Sequence, residues 1–258
     1  MTALLAVHHL NKAFGSVVAA KDITVTVGDG EVVGMIGANG AGKTTFVNMV
    51  TGYLKPNSGT IEFLGRDVTQ LPPRAIVAAG IARSFQIPQI FGSASVADNL
   101  LIALGIAEGG RLPLWRALRS RERLATVERV LDHFGIPAYR DQASGLLPQG
   151  VRKLLDIAMA TLRAPRLLLL DEPTSGISVE EKFAIMDTIM GAPRAARCAV
   201  MFVEHDMDII GRYASRVLAF AEGTIIAEGA PAAVIADPKV QRYVTGVPEA
   251  MRRAAAAP

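Results

Sequence analysis

Residues 37–44 read Gly-Ala-Asn-Gly-Ala-Gly-Lys-Thr. Three glycines so close together do not build the interior of a helix or strand; they let the backbone curl into a loop. Just before them, residues 31–36 include an apolar run short enough for a buried strand, and residues 43–50 carry a helical pattern that stops near Gly52. Strand, glycine loop and helix, with Lys43-Thr44 at the helix start, satisfy G-x-x-x-x-G-K-[ST] in its required context. Such a string arises by chance in roughly one chain in a hundred of this length. The residue types explain the chemistry. Backbone N–H groups of Gly37, Asn39, Gly40, Ala41, Gly42, Lys43, Thr44 and Thr45 are placed to cradle phosphates. The helix N-terminus adds its positive dipole end. Lys43 supplies a point charge to the β- and γ-phosphates, and the Thr44 hydroxyl a ligand for Mg²⁺.

A second feature suits the first. Residues 167–172 are four leucines followed by Asp171 and Glu172. A parallel strand buried on both faces reads as an unbroken apolar run, and ligands gather at its carboxyl end. Asp171 is then placed to hold Mg²⁺ through water, and Glu172 to polarise an attacking water as general base. Alone, two acids ending a strand would mean little; downstream of a phosphate loop they complete it.

The rest of the chain fits an α/β fold. Residues 4–10 read as a half-buried strand, as do 23–27, where Ile23, Val25 and Val27 alternate with Thr24 and Thr26, and 60–63 with the Gly65-Arg66 turn suggest a hairpin. Residues 81–85, 199–203 and 216–220 read as further strands, with a last hairpin at Glu222-Gly223. Between about 95 and 162 the strands give way to helical stretches at 96–104, 114–134 and 150–162. The expected architecture is a phosphate-loop core with a largely parallel sheet, an N-terminal antiparallel β subdomain and an inserted α-helical subdomain. Residues 1–94 and 163–246 are assigned to the core with its β subdomain, 95–162 to the helical insertion and 247–258 to a frayed tail.

Composition excludes several classes. The 258 residues hold one cysteine, Cys198, so no internal disulfide forms, and the four histidines have no zinc spacing. A formal charge of +3 is too small to argue for nucleic acid. No apolar run reaches the roughly 18 residues of a membrane-spanning helix, and the first ten residues do not read as a signal peptide.

With residues 37–44 and Asp171-Glu172 in place, the chain resembles ABC-type ATPases over about residues 4–246. The resemblance implies an ATP-binding and ATP-hydrolysing subunit and assigns further roles by position. Phe14 corresponds to the aromatic that stacks on adenine. Gln86 corresponds to the glutamine that contacts Mg²⁺ and the attacking water, and His205 to the switch histidine at the γ-phosphate. The signature departs from the frequent Leu-Ser-Gly-Gly-Gln: here it is Leu147-Pro148-Gln149-Gly150-Val151. Pro148 offers neither hydroxyl nor N–H but suits a first helical turn. Pro148, Gln149 and Gly150 are expected to cap the ATP bound by a second subunit. Arg152 and Lys153 follow, read either as partners of that phosphate or as a solvated surface pair. Ser178 stands where the family often has an aspartate that helps paired sites communicate.

The distance from Lys43 to Asp171 leaves no room for the long insertions of DNA-repair relatives, so the transporter reading is preferred. Residues 85–91, 105–123, 203–207 and 240–246 resemble ATPase subunits of branched-chain amino-acid importers. That resemblance implies transmembrane permease subunits, a second ATPase subunit, a solute-binding protein, and a peripheral place on the cytoplasmic face of the inner membrane. Ile87, Ile90 and Phe91 are candidates for contact with the permease. The basic stretch 111–123 reads as a solvated amphipathic helix or one lying near an anionic membrane face. An exporter ATPase, a non-transport regulatory ABC protein and a phosphate-loop kinase are the rival readings.

Overall fold

The computed structural model describes residues 3–107 and 118–244. In chain order the elements are strands β1 (Leu5–Phe14), β2 (Val17–Val27) and β3 (Val32–Gly37), helix α1 (Lys43–Val50), β4 (Ser58–Phe63), β5 (Arg66–Asp67), α2 (Pro73–Ala79) and β6 (Ile81–Arg83). There follow α3 (Val96–Ala107), α4 (Arg121–His133), α5 (Gln149–Thr161), β7 (Leu167–Asp171), α6 (Val179–Ala195), β8 (Ala199–Val203) and α7 (Met207–Tyr213). The chain closes with β9 (Arg216–Ala221), β10 (Thr224–Gly229), α8 (Pro231–Ala236) and α9 (Pro238–Tyr243). The described residues through Ala79 together with those from Ala199 form one compact unit, and Gly80–Cys198 form another.

The first unit holds an antiparallel sheet in the order β2-β1-β4-β5. Along β2, Ile23, Val25 and Val27 are buried while Thr24 and Thr26 are exposed, the period of two that the sequence displays. The β1 ladder is interrupted at His9, whose φ is +50°, and the facing β4 residue must be Gly59: a Cβ there would sit 2.4 Å from the His9 carbonyl oxygen.

The same unit holds β10-β9-β3-β8, in which β9, β3 and β8 are parallel and β10 returns antiparallel. Glu222 and Gly223 both have positive φ, as a tight hairpin turn requires. Val33, Met35 and Ile36 of β3, all of β8, and Val217 to Phe220 of β9 are fully buried, which is why these strands read as apolar runs without alternation. Helix α1 buries Phe46, Val47, Met49 and Val50. Phe46 meets Phe220 with ring centroids 5.7 Å apart. Each such side chain removed from water contributes about 1.5–3 kcal/mol.

The second unit contains the parallel pair β6–β7 and helices α3 to α6, with α5 packed on α3 and α6. A buried polar centre organises it. Asn99 of α3 accepts from the Phe91 N–H at 2.8 Å and donates to Ser95 O at 2.9 Å and Ser144 Oγ at 3.2 Å. It fixes the end of the segment running from β6 to α3.

The fold is α/β, with a separate antiparallel sheet and a mostly parallel one. Several boundaries differ from expectation. The strand expected over 81–85 ends at Arg83, because Phe85 turns its N–H to a side chain instead. The helix expected over 114–134 is not continuous: residues 118–120 are non-helical and α4 begins at Arg121, where Ser120 accepts from the Arg123 N–H as N-cap. Residues 111–117 of the basic stretch, Thr245, Gly246 and the tail lie outside the described residues; of the rest of that stretch, Arg119 pairs with Asp98 at 2.6 Å.

Candidate functional site

The first unit carries the phosphate loop. Strand β3 ends at Gly37, and Ala38, Asn39 and Gly40 stand exposed before the chain enters α1. Gly42 is the N-cap of α1 with φ +104°, and no side chain caps the helix. A Cβ at Gly42 would lie 2.5 Å from Ala19 O, so both conformation and space demand glycine there. With no side-chain cap and no acidic residue in its first turn, the N-terminus of α1 presents its donors to an anion. Lys43 is buried and donates to Gly37 O at 2.6 Å and Ala38 O at 3.0 Å, lying back over the loop. Thr44 is exposed and Thr45 half-buried; Ala41 is buried, its carbonyl accepting from the Gly223 N–H at 3.1 Å.

His205 follows the carboxyl end of β8, beside that of β3. Strands β3 and β8 run parallel with Met35 opposite Val203, so Gly37 and His205 each lie two residues beyond that pair. The strand ends thus bring the loop and His205 to neighbouring carboxyl ends, where ligands bind in such sheets. His205 is exposed; its N–H donates to the carboxylate of the buried Glu204 at 3.1 Å, and Asp206 caps α7. Phe14, in the same unit, is 51% exposed, which rules out a core role; Lys12 Nζ lies 5.4 Å from its ring centroid.

The second unit carries the carboxylates. Asp171 ends β7 and its Oδ2 pairs with Arg83 Nη2 of β6 at 2.8 Å. Glu172 follows with φ +50°, a left-handed conformation uncommon outside glycine. Gln86 Nε2 donates to Glu172 Oε2 at 3.0 Å. An ionised carboxylate only accepts, so the amide must present its nitrogen. The backbone oxygen of Glu172 accepts from Lys153 Nζ. Asp156 accepts from the N–H groups of Phe85 at 3.1 Å and Gln89 at 2.9 Å. Burial pushes its carboxyl up to about 6, against the pull of those two N–H groups and the Lys153 charge.

The signature segment opens α5. Pro148 is the N-cap, with φ −54° and ψ 151°, and Gln149 the first helical residue. Pro148 therefore stands one position before the helical turn expected of it, and its carbonyl accepts from the Arg152 N–H at 3.0 Å. Gln149 Nε2 reaches Ser175 O at 3.5 Å, and Gly150 packs near Ile185. Of the two readings of Arg152 and Lys153, the solvated one is corrected for Lys153, which is buried; Arg152 is half-buried and its Nε donates to Leu147 O at 2.8 Å. Ser178 donates to Glu181 Oε2 at 2.8 Å where α6 begins, an N-terminal role in place of the missing carboxylate.

Sequence reasoning missed Arg83 and Asp156, and named Lys153 without its burial or its bond to Glu172. The signal existed: a lysine and an aspartate at i and i+3 share a helix face with Leu154, Ile157 and Ala158, where apolar residues would be expected.

The first unit carries a phosphate loop and a histidine at neighbouring strand ends, and the second an Asp-Glu pair ending a buried strand; these are the parts of a phosphate-loop nucleotide hydrolase. The ABC transporter family model matches residues 20–175, and the chain belongs to that family as an ATP-binding, ATP-hydrolysing subunit. It is 32% identical over 249 residues to the probable branched-chain amino acid transport ATP-binding protein of Archaeoglobus fulgidus, covering 94% of this chain and 95% of that one. It is 31% identical over 250 residues to the high-affinity branched-chain amino acid transport ATP-binding protein of Salmonella typhimurium, covering 94% and 98%. Among solved structures, an ATP-binding cassette of an ABC transporter in its ADP conformation superposes with TM-score 0.83 at 29% identity, covering 94% of this chain and 98% of that one. No helix among the described residues is long and apolar enough to cross a membrane.

Proposed function

We propose that this chain powers the import of branched-chain amino acids or related small solutes through transmembrane permease subunits. The observation that carries the substrate class is the 31–32% identity to branched-chain amino acid transport ATP-binding proteins along 94% of the chain. The chain would sit peripherally on the cytoplasmic face of the inner membrane, with a solute-binding protein completing the system. Ile87, 75% exposed, and Phe91 offer apolar contacts to the permease from the segment that carries Gln86.

Two such subunits would pair head to tail. Each ATP would lie between residues 37–45 of one and residues 147–151 of the other, with Phe14 stacked on adenine. In this reading residues 1–94 and 163–246 serve as nucleotide core and 95–162 as the helical part presenting the signature. Thr44, Gln86 and Asp171 provide a hydroxyl, an amide and a carboxylate, hard oxygen donors that suit Mg²⁺, which is held by few protein ligands plus waters and phosphates. When bound, the cation neutralises charge on the phosphates.

The chain's own residues supply the rest. Lys43 and the loop N–H groups hold the β- and γ-phosphates, and His205 hydrogen-bonds the γ-phosphate. Glu172 takes the proton of the water as its oxygen bonds to the γ-phosphorus and the bond to the bridging oxygen breaks, leaving ADP and phosphate. Gln86, on the Glu172 carboxylate, orients that carboxylate. Loss of the γ-phosphate removes the bridge between subunits and shifts the pair toward opening.

Purifying the chain with its membrane partners and reconstituting them in vesicles tests the assignment. ATP-driven uptake of radiolabelled leucine is the expected result. Uptake of urea or an aromatic acid but not leucine would move the substrate class; outward transport would overturn import.

A further inference from the structure

One carboxylate holds both ends of the segment that carries Gln86. Asp156 Oδ2 accepts from the Phe85 N–H at 3.1 Å and its Oδ1 from the Gln89 N–H at 2.9 Å, so residues 85–89 are pinned on either side of Gln86. One turn earlier on α5, Lys153 donates to the backbone oxygen of Glu172, and Gln86 in turn donates to the Glu172 carboxylate at 3.0 Å. The contacts close a circuit inside the unit formed by Gly80–Cys198: α5 to Lys153 to Glu172 to Gln86, then through the loop to Asp156 and back to α5.

Such an arrangement is costly as packing alone. Lys153 and Asp156 are only 3% and 7% exposed. Hydrophobic residues of similar volume in place of a buried pair are often neutral or stabilising. What the charged pair provides is direction. A carboxylate with two acceptor oxygens spans two separate N–H donors, and an ammonium on a long stem reaches a carbonyl held at positive φ. Neither function is available to leucine.

We propose that Lys153 and Asp156 are positioning residues for ATP hydrolysis: they fix the Gln86 amide against the Glu172 carboxylate and tie both to the helix that begins at the signature segment. The proposal rests on reading Glu172 as the general base. Displacement of the Pro148 end of α5 would then move the residues that prepare the attacking water, because the same helix holds both.

The test is a double-mutant cycle on MgATP hydrolysis. Asp156→Asn keeps the shape but leaves one good acceptor for two donors, so kcat should fall about tenfold with KM changed less than twofold. In a Gln86→Ala background the same substitution should cost less than twofold, because it acts through Gln86. An equal, multiplicative loss in both backgrounds, or an unchanged kcat, would overturn the proposal. If Asp156→Asn does not fold, Gln89→Pro removes one of the two donors from an exposed loop position and should give the same coupled loss. A wild-type kcat in Gln89→Pro would then refute it. Glu172→Gln is measured alongside: if that variant keeps the wild-type rate, the fault lies in the general-base reading and not in the anchoring.

Discussion

Arg83 Nη2 lies 2.8 Å from Asp171 Oδ2, with only 8% and 7% of the two side chains exposed. The residue expected to serve the cation at the end of β7 is thus held by a cation of the protein on the neighbouring strand. Arg83 also lies 4.8 Å from the Phe85 ring centroid, so it orders the start of the Gln86 segment as well.

Removing one partner of a buried pair leaves the other uncompensated. Arg83→Ala should therefore destabilise the chain by about 3–5 kcal/mol, read as a lower urea midpoint. The double variant Arg83→Met, Asp171→Asn should recover most of that loss while hydrolysing little ATP. A single variant within about 0.5 kcal/mol of wild type would show that the pair carries no stability.

Stability should also depend on pH through Asp156. Its carboxyl titrates near 6 in the fold against an ordinary 3.8, so between those values the native state binds more protons than the unfolded chain. Stability from this group is therefore lost as pH rises through that window, and stays lower above it, by up to about 2–3 kcal/mol. Asp156→Asn has no such proton. Urea denaturation at pH 5 and pH 7.5 should show wild type losing ground to the variant at the higher pH; a difference independent of pH would contradict the buried-carboxylate account.

Much of this was legible in the sequence because the constraints were local. Residues 37–44 needed only glycine conformations and a helix start, and the leucine strand ending in Asp171-Glu172 needed only burial on two faces. Lys153 and Asp156 were not legible because their partners lie elsewhere in the chain: Glu172 is 19 residues from Lys153, and Phe85 71 residues from Asp156. Local charge rules left Lys153 either facing a phosphate or solvated, and tertiary contact buried it. Pro148 fell one position off because φ alone fits both an N-cap and a first helical turn, and only the extended ψ separates them.

Pro148 leads to a gain-of-function prediction. Its N-cap dihedrals suit serine, whose hydroxyl would accept from a helix N–H or donate to a phosphate. In a Glu172→Gln background, Pro148→Ser should lower the ATP concentration needed for dimerisation by about tenfold, the worth of one hydrogen bond to a charged group. Light scattering across an ATP titration measures it. No change in midpoint would mean that residues 147–151 do not cap nucleotide.

The most direct measurement is phosphate release from MgATP by wild type and by Glu172→Gln, with nucleotide affinity measured on the same preparations. A positioned general base contributes about 100- to 10,000-fold. The variant should bind ATP as tightly as wild type and hydrolyse it at least about 100-fold more slowly. Hydrolysis by Glu172→Gln at the wild-type rate would contradict the central claim that the carboxylate held by Gln86 activates the attacking water.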